Sequence, residues 1–167
     1  GADKIVVIWK STGQGLLKYN HTAAIQCVKY SPTTLQLASC SEVDFGMWTP
    51  EQKQVVKEKV HSKILCAAWS SDGSIMAIGM VNGWISIRNA ASVELHHIER
   101  RAPIWCLQFV PGSAAPAPPQ TKAGGGSSSP TGGGTTQDSD LLVVGCWDKT
   151  LSLYRFSSAV QAAFAPV

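Results

Sequence analysis

An internal repeat with a period of about 40 residues is the feature that most constrains this fold. Three segments, at residues 25–30, 64–69 and 104–109, share the pattern Ile-x-Cys-apolar-x-aromatic, so their cysteines recur at nearly equal intervals. A period near 40 with several short strands in each unit is typical of propeller blades. The sequence therefore predicts an all-β fold built from repeated blades of antiparallel strands.

A second pattern places the repeats along the chain. The pattern consists of an acidic or amide residue, a turn and a short β-rich run. The residue that ends each run, called the closing position, is residue 9, 48, 88 or 154. The first two intervals between closing positions are nearly equal, whereas the interval from 88 to 154 is much too long for one repeat. Residues 112–139 account for this excess. They are rich in Gly, Ser and Pro and nearly free of large apolar side chains, so we expect a disordered insert.

These boundaries divide the chain into about three blades of four strands. We interpret residues 1–20 as the end of a truncated blade and a connecting strand, and residues 21–60 and 61–100 as complete repeats. Residues 101–157 are a third repeat, interrupted by the insert at 112–139, and residues 158–167 are a divergent tail. The chain is thus expected to be an open fragment of a larger propeller. Its uncovered inter-blade faces would make it aggregate in isolation.

Within each complete repeat we expect apolar inner strands first and a solvated outer strand last. The expected strands are residues 25–30, 36–39, 44–48 and 54–60 in the first complete repeat, and residues 64–69, 75–79, 84–87 and 93–98 in the second. The three repeated cysteines then occupy one inner-strand position as small apolar side chains.

Composition and charge argue against several classes of function. The formal net charge is +3 with scattered Lys and Arg, whereas a nucleic-acid partner usually requires a clustered basic face. No apolar run approaches the roughly 20 residues that span a bilayer, so we expect no direct membrane insertion. Five cysteines without a Cys-x-x-Cys pair argue against a disulfide framework and a zinc ribbon. An N-terminus without a signal-peptide layout favours a cytosolic chain.

The residues around the first internal closing tryptophan resemble the WD40 family. They are the motif Leu37-Ala38-Ser39 before a turn, an acid in that turn, Trp48 at the closing position and His21 upstream. The resemblance implies that a His, a Ser or Thr, an Asp and a Trp form a buried hydrogen-bonded set, which pins together the strands of one blade. On this sequence the set is His21, Ser39, Trp48 and either Asp44 or Glu42.

The later repeats keep only part of this set. The second complete repeat has His61 and Asn82 but Arg88 at its closing position, and the third has Asp148 and Tyr154 but no His. We interpret both as divergent blades. The blade-locking candidates are His21, Ser39, Asp44, Trp48, His61, Asn82 and Asp148.

The same residue types need to be weighed against a catalytic site. His21, Ser39 and Asp44 occur in hydrolase triads, but a triad requires an exposed nucleophile, and these positions lock a blade. The adjacent His96 and His97 have no Cys, Asp or His at ligand spacing. We therefore predict that the protein is not an enzyme. We expect no catalytic, cofactor-binding or metal-binding residues and no small-molecule substrate.

Five sequence blocks are more specific than a generic WD40 consensus. They are residues 37–41, 44–53, 79–83, 85–89 and 103–105, and the second reads Asp-Phe-Gly-Met-Trp-Thr-Pro-Glu-Gln-Lys. These blocks resemble the WD40 subunits of intraflagellar transport complex A. The resemblance implies a non-enzymatic scaffold that supports retrograde intraciliary transport, cilium assembly and protein localisation to cilia. It implies other complex A subunits and ciliary cargo proteins as partners, and a location in the cytoplasm and the cilium, including the flagellum and basal body.

Two alternatives stay open on the sequence. One is a WD40 adaptor of another multiprotein assembly, such as a vesicle coat or a ubiquitin ligase, because blades alone do not specify what they bind. The other is a propeller-based hydrolase. That function would require metal ligands or acidic residues that converge on the central channel, and the sequence contains no such set.

Overall fold

The computed structural model describes residues 1–49, 51, 57–111 and 140–156, which contain β-strands and no helix. The all-β prediction is therefore confirmed. The strands are β1 (Ile5–Trp9), β2 (Gly15–Asn20), β3 (Ile25–Tyr30), β4 (Leu37–Ser41), β5 (Asp44–Trp48), β6 (Lys57–Lys59), β7 (Ile64–Trp69), β8 (Ile75–Met80), β9 (Trp84–Asn89), β10 (Glu94–Glu99), β11 (Ile104–Val110), β12 (Leu141–Cys146) and β13 (Leu151–Arg155). The predicted insert at 112–139, the tail at 158–167 and the start of the strand expected at 54–60 lie outside the described residues.

The strands form four antiparallel sheets that follow one another along the chain. β1 pairs with β2, β3–β6 and β7–β10 form two four-stranded sheets, and β11–β13 form a three-stranded sheet. Within each sheet, every strand pairs with its neighbour in the sequence. Such up-and-down sheets, stacked face to face, are the blades of a propeller. The structure confirms the prediction of a partial, open β-propeller.

Apolar cores lie between successive sheets. The core between the first two sheets includes Trp48, the next includes Phe45, and the last includes Ile104. Because both faces of β4 and β8 are covered, every residue in these two strands is buried. In the outer strand β10 only Ile98 is buried. The expected order, from buried inner strands to a solvated outer strand, is therefore found in the second complete repeat, whereas in the first the innermost strand β3 has no fully buried residue.

The Ile-x-Cys motif marks a bulge in each inner strand. In β3, β7 and β11 the strand register shifts between the Ile and the Cys. The cysteine then lies opposite Cys40, Gly79 or Gly145 on the next strand. Cys106 is exposed, which differs from the small apolar packing expected at this position. The reason is that no described sheet covers this face of β11.

Candidate functional site

A buried hydrogen-bonded network joins a connecting loop to two strands in the first complete repeat. His21 lies in the loop before β3, Ser39 lies on β4, and Asp44 begins β5. The His21 imidazole is 2.5 Å from the Asp44 carboxylate through Nδ1 and 2.8 Å from Ser39 Oγ through Nε2. Because an ionised carboxylate only accepts, Nδ1 donates to Asp44, and the Nε2 of a neutral ring accepts from the Ser39 hydroxyl.

The carboxylate of Asp44 collects several donors. Ser41 Oγ donates to it over 2.5 Å, and the Thr22 hydroxyl also donates. Burial raises the pKa of Asp44, but the hydrogen bonds from Ser41, Thr22 and His21 outweigh this and hold the pKa at about 2. Glu42, the other acid considered for this role, pairs at the surface with Lys63 over 2.7 Å. The acid that contacts His21 is therefore Asp44.

The closing tryptophan takes part in this network through packing. Trp48 is buried, and its indole nitrogen makes no hydrogen bond with any residue that the structure describes. Tyr19 on β2 packs edge-on against Trp48, with ring centroids 5.6 Å apart, and its hydroxyl donates to Ser39 Oγ over 2.9 Å. Burial raises the pKa of Tyr19 to about 12, so it stays a donor. Tyr19 thus ties the first sheet to the second, and the sequence reasoning missed it.

The remaining candidates, His61, Asn82 and Asp148, lie near turns, and in the described part of the chain no second buried network is built around a histidine. Asn82 accepts a hydrogen bond from the backbone N–H of Trp84 over 3.1 Å, and Asp148 accepts one from that of Thr150 over 2.9 Å. In both turns the intervening residue has a positive φ, a conformation that such side-chain caps support. His61 is exposed, and within the described part of the chain it makes no hydrogen bond with Asn82.

An arginine takes the equivalent loop position directly before the third repeat. Arg100 lies as far along the chain from His21 as Cys106 lies from Cys27. Its guanidinium donates to the Tyr154 hydroxyl over 3.2 Å and to Thr150 Oγ1 over 2.8 Å, and it lies 3.5 Å from the Asp148 carboxylate. A search for histidine misses this residue. The cysteine spacing in the sequence is the signal that points to it.

A second arginine replaces a closing tryptophan. The guanidinium of Arg88 on β9 pairs with Glu58 on β6 over 2.8 Å and with Glu94 on β10 over 3.1 Å. Its carbon atom also lies 4.9 Å from the ring centroid of Phe45. Glu58 and Phe45 belong to the preceding sheet, so Arg88 bridges two sheets. The sequence showed only the loss of a tryptophan at this position.

Comparison with known proteins decides the family. The family model described as the IFT122 first beta-propeller matches residues 1–163. The chain belongs to this family.

Curated relatives of this first-propeller family agree with the match. The intraflagellar transport protein 122 homolog of Danio rerio is 42% identical over 160 residues, which are 93% of this chain and 12% of the relative. The homolog of Homo sapiens is 54% identical over 116 residues, which are 67% of this chain and 9% of the relative. The chain thus spans about an eighth of the length of the first of these relatives. It is a WD40 propeller related to intraflagellar transport.

Solved structures show the same fold at low identity. The WD40 repeats of RRP9 superpose with a TM-score of 0.61 at 18% identity, covering 98% of this chain and 40% of that one. The computationally designed Ika4 protein gives a TM-score of 0.65 at 17% identity, covering 93% of this chain and 82% of that one. At these identities, the likeness concerns the fold alone.

The network of His21, Ser39 and Asp44 is closed to solvent. Ser39 is wholly buried beneath Tyr19 and His21, so a substrate has no access to its hydroxyl. Among the described residues, no group of three or more His, Cys, Asp or Glu side chains is placed to hold a metal ion. No helix in that part of the chain is long and apolar enough to cross a membrane. The hydrogen bonds join a loop to β4 and β5, and nothing in the arrangement shows catalysis.

Proposed function

We propose that the protein is a non-enzymatic scaffold subunit of intraflagellar transport complex A. It supports retrograde intraciliary transport, cilium assembly and protein localisation to cilia. The observation that carries this proposal is the match of residues 1–163 to the IFT122 first beta-propeller. Its partners are then other complex A subunits and ciliary cargo proteins, and it acts in the cytoplasm and the cilium, including the flagellum and basal body.

The geometry of the blades supports a scaffold. A binding surface that keeps its shape loses little conformational entropy when a partner docks. We assign the repeats to residues 21–60, 61–100 and 101–157. We give the locking role in the first repeat to His21, Ser39 and Asp44, because these side chains join a loop to β4 and β5. The bridge from Arg88 to Glu58 extends this rigidity from one sheet to the next.

Affinity capture tests the assembly. The full-length protein that contains this chain is tagged, expressed in ciliated cells and captured under mild conditions, and the co-purifying proteins are quantified by mass spectrometry. A tagged WD40 protein of another assembly is the control for non-specific capture. We expect stoichiometric recovery of complex A subunits with the protein and not with the control.

A genetic arm tests the transport role. Cells that lack the protein should accumulate cargo at ciliary tips, and the wild-type protein should restore its return to the base. Recovery of vesicle-coat or ubiquitin-ligase subunits without complex A subunits would contradict the proposal and favour another WD40 adaptor. Normal retrograde transport in the deficient cells would contradict the transport role itself.

A further inference from the structure

Two exposed tryptophans pack on each other where β11 begins and β12 ends. Trp105 and Trp147 are 60% and 64% exposed, and their ring centroids are 5.2 Å apart. The backbone N–H of Trp147 donates to the carbonyl oxygen of Pro103 over 2.9 Å. That bond holds the two loops side by side, so the pair is formed before any partner arrives. Aromatic area left in water contributes no burial energy to the fold.

The repeat positions of Trp105 and Trp147 differ in polarity from blade to blade. In the first complete repeat they hold Gln26 and Glu42, whose side chains are hydrogen-bonded over 3.2 Å. In the second repeat they hold Leu65 and Val81, and in the third the two tryptophans. Because β7 and β11 are neighbouring inner strands, the two apolar pairs lie at the same end of adjacent blades, and together they are called the apolar strip. The fold itself tolerates a polar pair at this position, so the apolar strip has another cause.

Positive charge lies beside the aromatic end of the strip. Arg101 and Lys149 are exposed in the two loops that carry the tryptophans, and neither makes an ion pair with a described residue. The charge of Asp148 in the same turn is offset by Arg100 at 3.5 Å. Beside the polar pair of Gln26 and Glu42, by contrast, the charge of Lys63 is neutralised by Glu42. Two free cations among the described residues therefore flank the tryptophans.

We propose that the surface formed by Leu65, Val81, Arg101, Trp105, Trp147 and Lys149, the tryptophan surface, binds an extended acidic peptide segment of a partner protein. An aliphatic side chain of the segment packs on the two indoles, and acidic residues on either side of it meet Arg101 and Lys149. Buried tryptophans are the residue type that most often dominates binding energy at interfaces. Complementary charge sets the orientation and the rate of association.

The charge and the ring geometry favour a peptide over two other partners. Two free cations neutralise only about two phosphates, whereas nucleic-acid binding usually involves about six to ten. The two rings also pack on each other, which reduces the faces available for stacking with bases. Membrane recognition by charge usually requires clusters of about four to eight basic residues. The tryptophan surface has too few cations for either partner.

The test uses the full-length protein and a phage library that displays random dodecapeptides. The library is panned on the wild-type protein and counter-selected on the Trp105→Ala/Trp147→Ala variant. We expect the enriched peptides to be acidic and to share an aliphatic position. Fluorescence anisotropy with one enriched peptide should show about a tenfold loss of affinity for Trp147→Ala. Lys149→Glu should lower affinity about threefold or more and leave the melting temperature unchanged, because this side chain is exposed.

Matched variants and probes make the result decisive. Trp9→Ala removes a tryptophan that is 63% exposed on β1, outside the tryptophan surface, and should leave the affinity unchanged. If Trp147→Ala lowers the melting temperature, Arg101→Glu and Lys149→Glu carry the test, since both change exposed charges only. No enrichment over the counter-selected variant, enrichment of basic peptides, or insensitivity to both charge reversals would overturn the proposal. Tighter binding of oligo(dT) or of phosphatidylserine vesicles to this surface would also overturn it.

The proposal rests on the scaffold function proposed above, but the two can fail separately. Panning could fail while both the wild-type protein and the Trp105→Ala/Trp147→Ala variant capture complex A subunits. That result would contradict the proposal for the tryptophan surface and support the scaffold function. Panning could succeed while the protein captures another assembly. That result would support the peptide-binding surface and contradict the complex A assignment.

Discussion

At the residue scale, the carboxylate of Asp44 gives the first lock a dependence on pH. Its pKa is lowered from 3.8 to about 2, so the folded state binds this proton less tightly than the unfolded state. The resulting stability is present above about pH 4 and is lost as the pH falls through about 2. For this buried group it amounts to at most about 2 kcal/mol. Asp44→Asn should remove this dependence and lower the unfolding free energy at neutral pH.

The measurement is urea unfolding, followed by tryptophan fluorescence between pH 2 and 6, of a propeller that contains this chain. The wild-type and Asp44→Asn curves should converge toward pH 2. Glu42→Gln is the matched control, because it removes a nearby carboxylate that does not contact His21, and its curve should run parallel to the wild type. An Asp44→Asn curve that also runs parallel would show that the carboxylate does not stabilise the fold.

Sequence reasoning found part of this network and missed part for a physical reason. His21, Ser39 and Asp44 have residue types that a motif can recognise, and the structure brings the three together. Tyr19 and Arg100 make contacts of similar kind with other residue types. A hydroxyl or guanidinium can satisfy the same geometry as an indole or imidazole, so a search by residue type does not find them. Hydrogen-bond geometry is decided by packing, which a single sequence does not display.

At the element scale, close approach of two sheets depends on a glycine. A Cβ atom at Gly79 on β8 would lie 2.6 Å from Cγ2 of Ile104 and 2.8 Å from Cys66 Sγ. Ile104 is fully buried and stiff because it is β-branched. We expect Gly79→Ala to force β8 and β11 apart and to cost about 1–3 kcal/mol of stability.

Gly145 on β12 is the matched control, since it lies opposite the equivalent cysteine. A Cβ atom there would meet Cys106 Sγ at 2.5 Å, but Cys106 is exposed and its thiol can rotate away. Gly145→Ala should therefore cost less than about 1 kcal/mol. Urea midpoints of the two variants, both made in residues 1–167 at low protein concentration so that no further blade covers Cys106, provide the measurement. Equal losses would show that the spacing of the sheets is not set at Gly79.

The Arg88 bridge gives a second prediction at this scale. A double-mutant cycle with Arg88→Ala and Glu58→Ala should give a coupling of about 1 kcal/mol, because Arg88 is mostly buried against Phe45. The matched cycle uses Lys63 and Glu42, which are 2.7 Å apart. Because Lys63 is exposed where Arg88 is mostly buried, this cycle should give less than about 0.5 kcal/mol. Both cycles are measured as free energies of unfolding in urea. A larger coupling for Lys63 and Glu42 would contradict the bridging role of Arg88.

Strand positions were far easier to predict than their distortions. The strands expected at 25–30, 44–48 and 64–69 occur at those residues, because apolar runs and turn residues carry the information locally. The bulges coincide with the repeated Ile-x-Cys motif, but the motif alone does not show that the strand register shifts there. They become visible only when the register against the next strand is known. The ion pair of Arg88 on β9 with Glu58 on β6 could not be predicted either, because it joins residues that lie in two different blades and are distant in the sequence.

At the scale of the whole molecule, we expect the exposed face of the last sheet to control the solubility of the isolated chain. Side chains alternate along β13, so Tyr154 faces the preceding sheet while Leu151 and Leu153 face outward. Leu151 is 70% exposed, and Val110 on β11 is exposed on the same face of the sheet. On the sheet β7–β10, the corresponding face is buried against β11–β13. We expect residues 1–167 expressed alone to aggregate through this face. A monomer with a sharp cooperative melt on gel filtration and calorimetry would contradict this expectation.

Charge substitution on that face separates its role from general surface hydrophobicity. In the isolated chain, Leu151→Lys with Leu153→Lys should raise the soluble monomeric fraction, because lysines prevent contact between uncovered sheets. In the full-length protein the same pair should lower stability by several kcal/mol if a further blade covers this face, since unpaired charges would then be buried. Leu35→Lys changes a leucine of equal exposure, 70%, outside this face and should have little effect in either protein. A higher soluble fraction of the isolated chain together with a lower stability of the full-length protein would identify an inter-blade surface. A higher soluble fraction without loss of stability in the full-length protein would identify an outer surface instead.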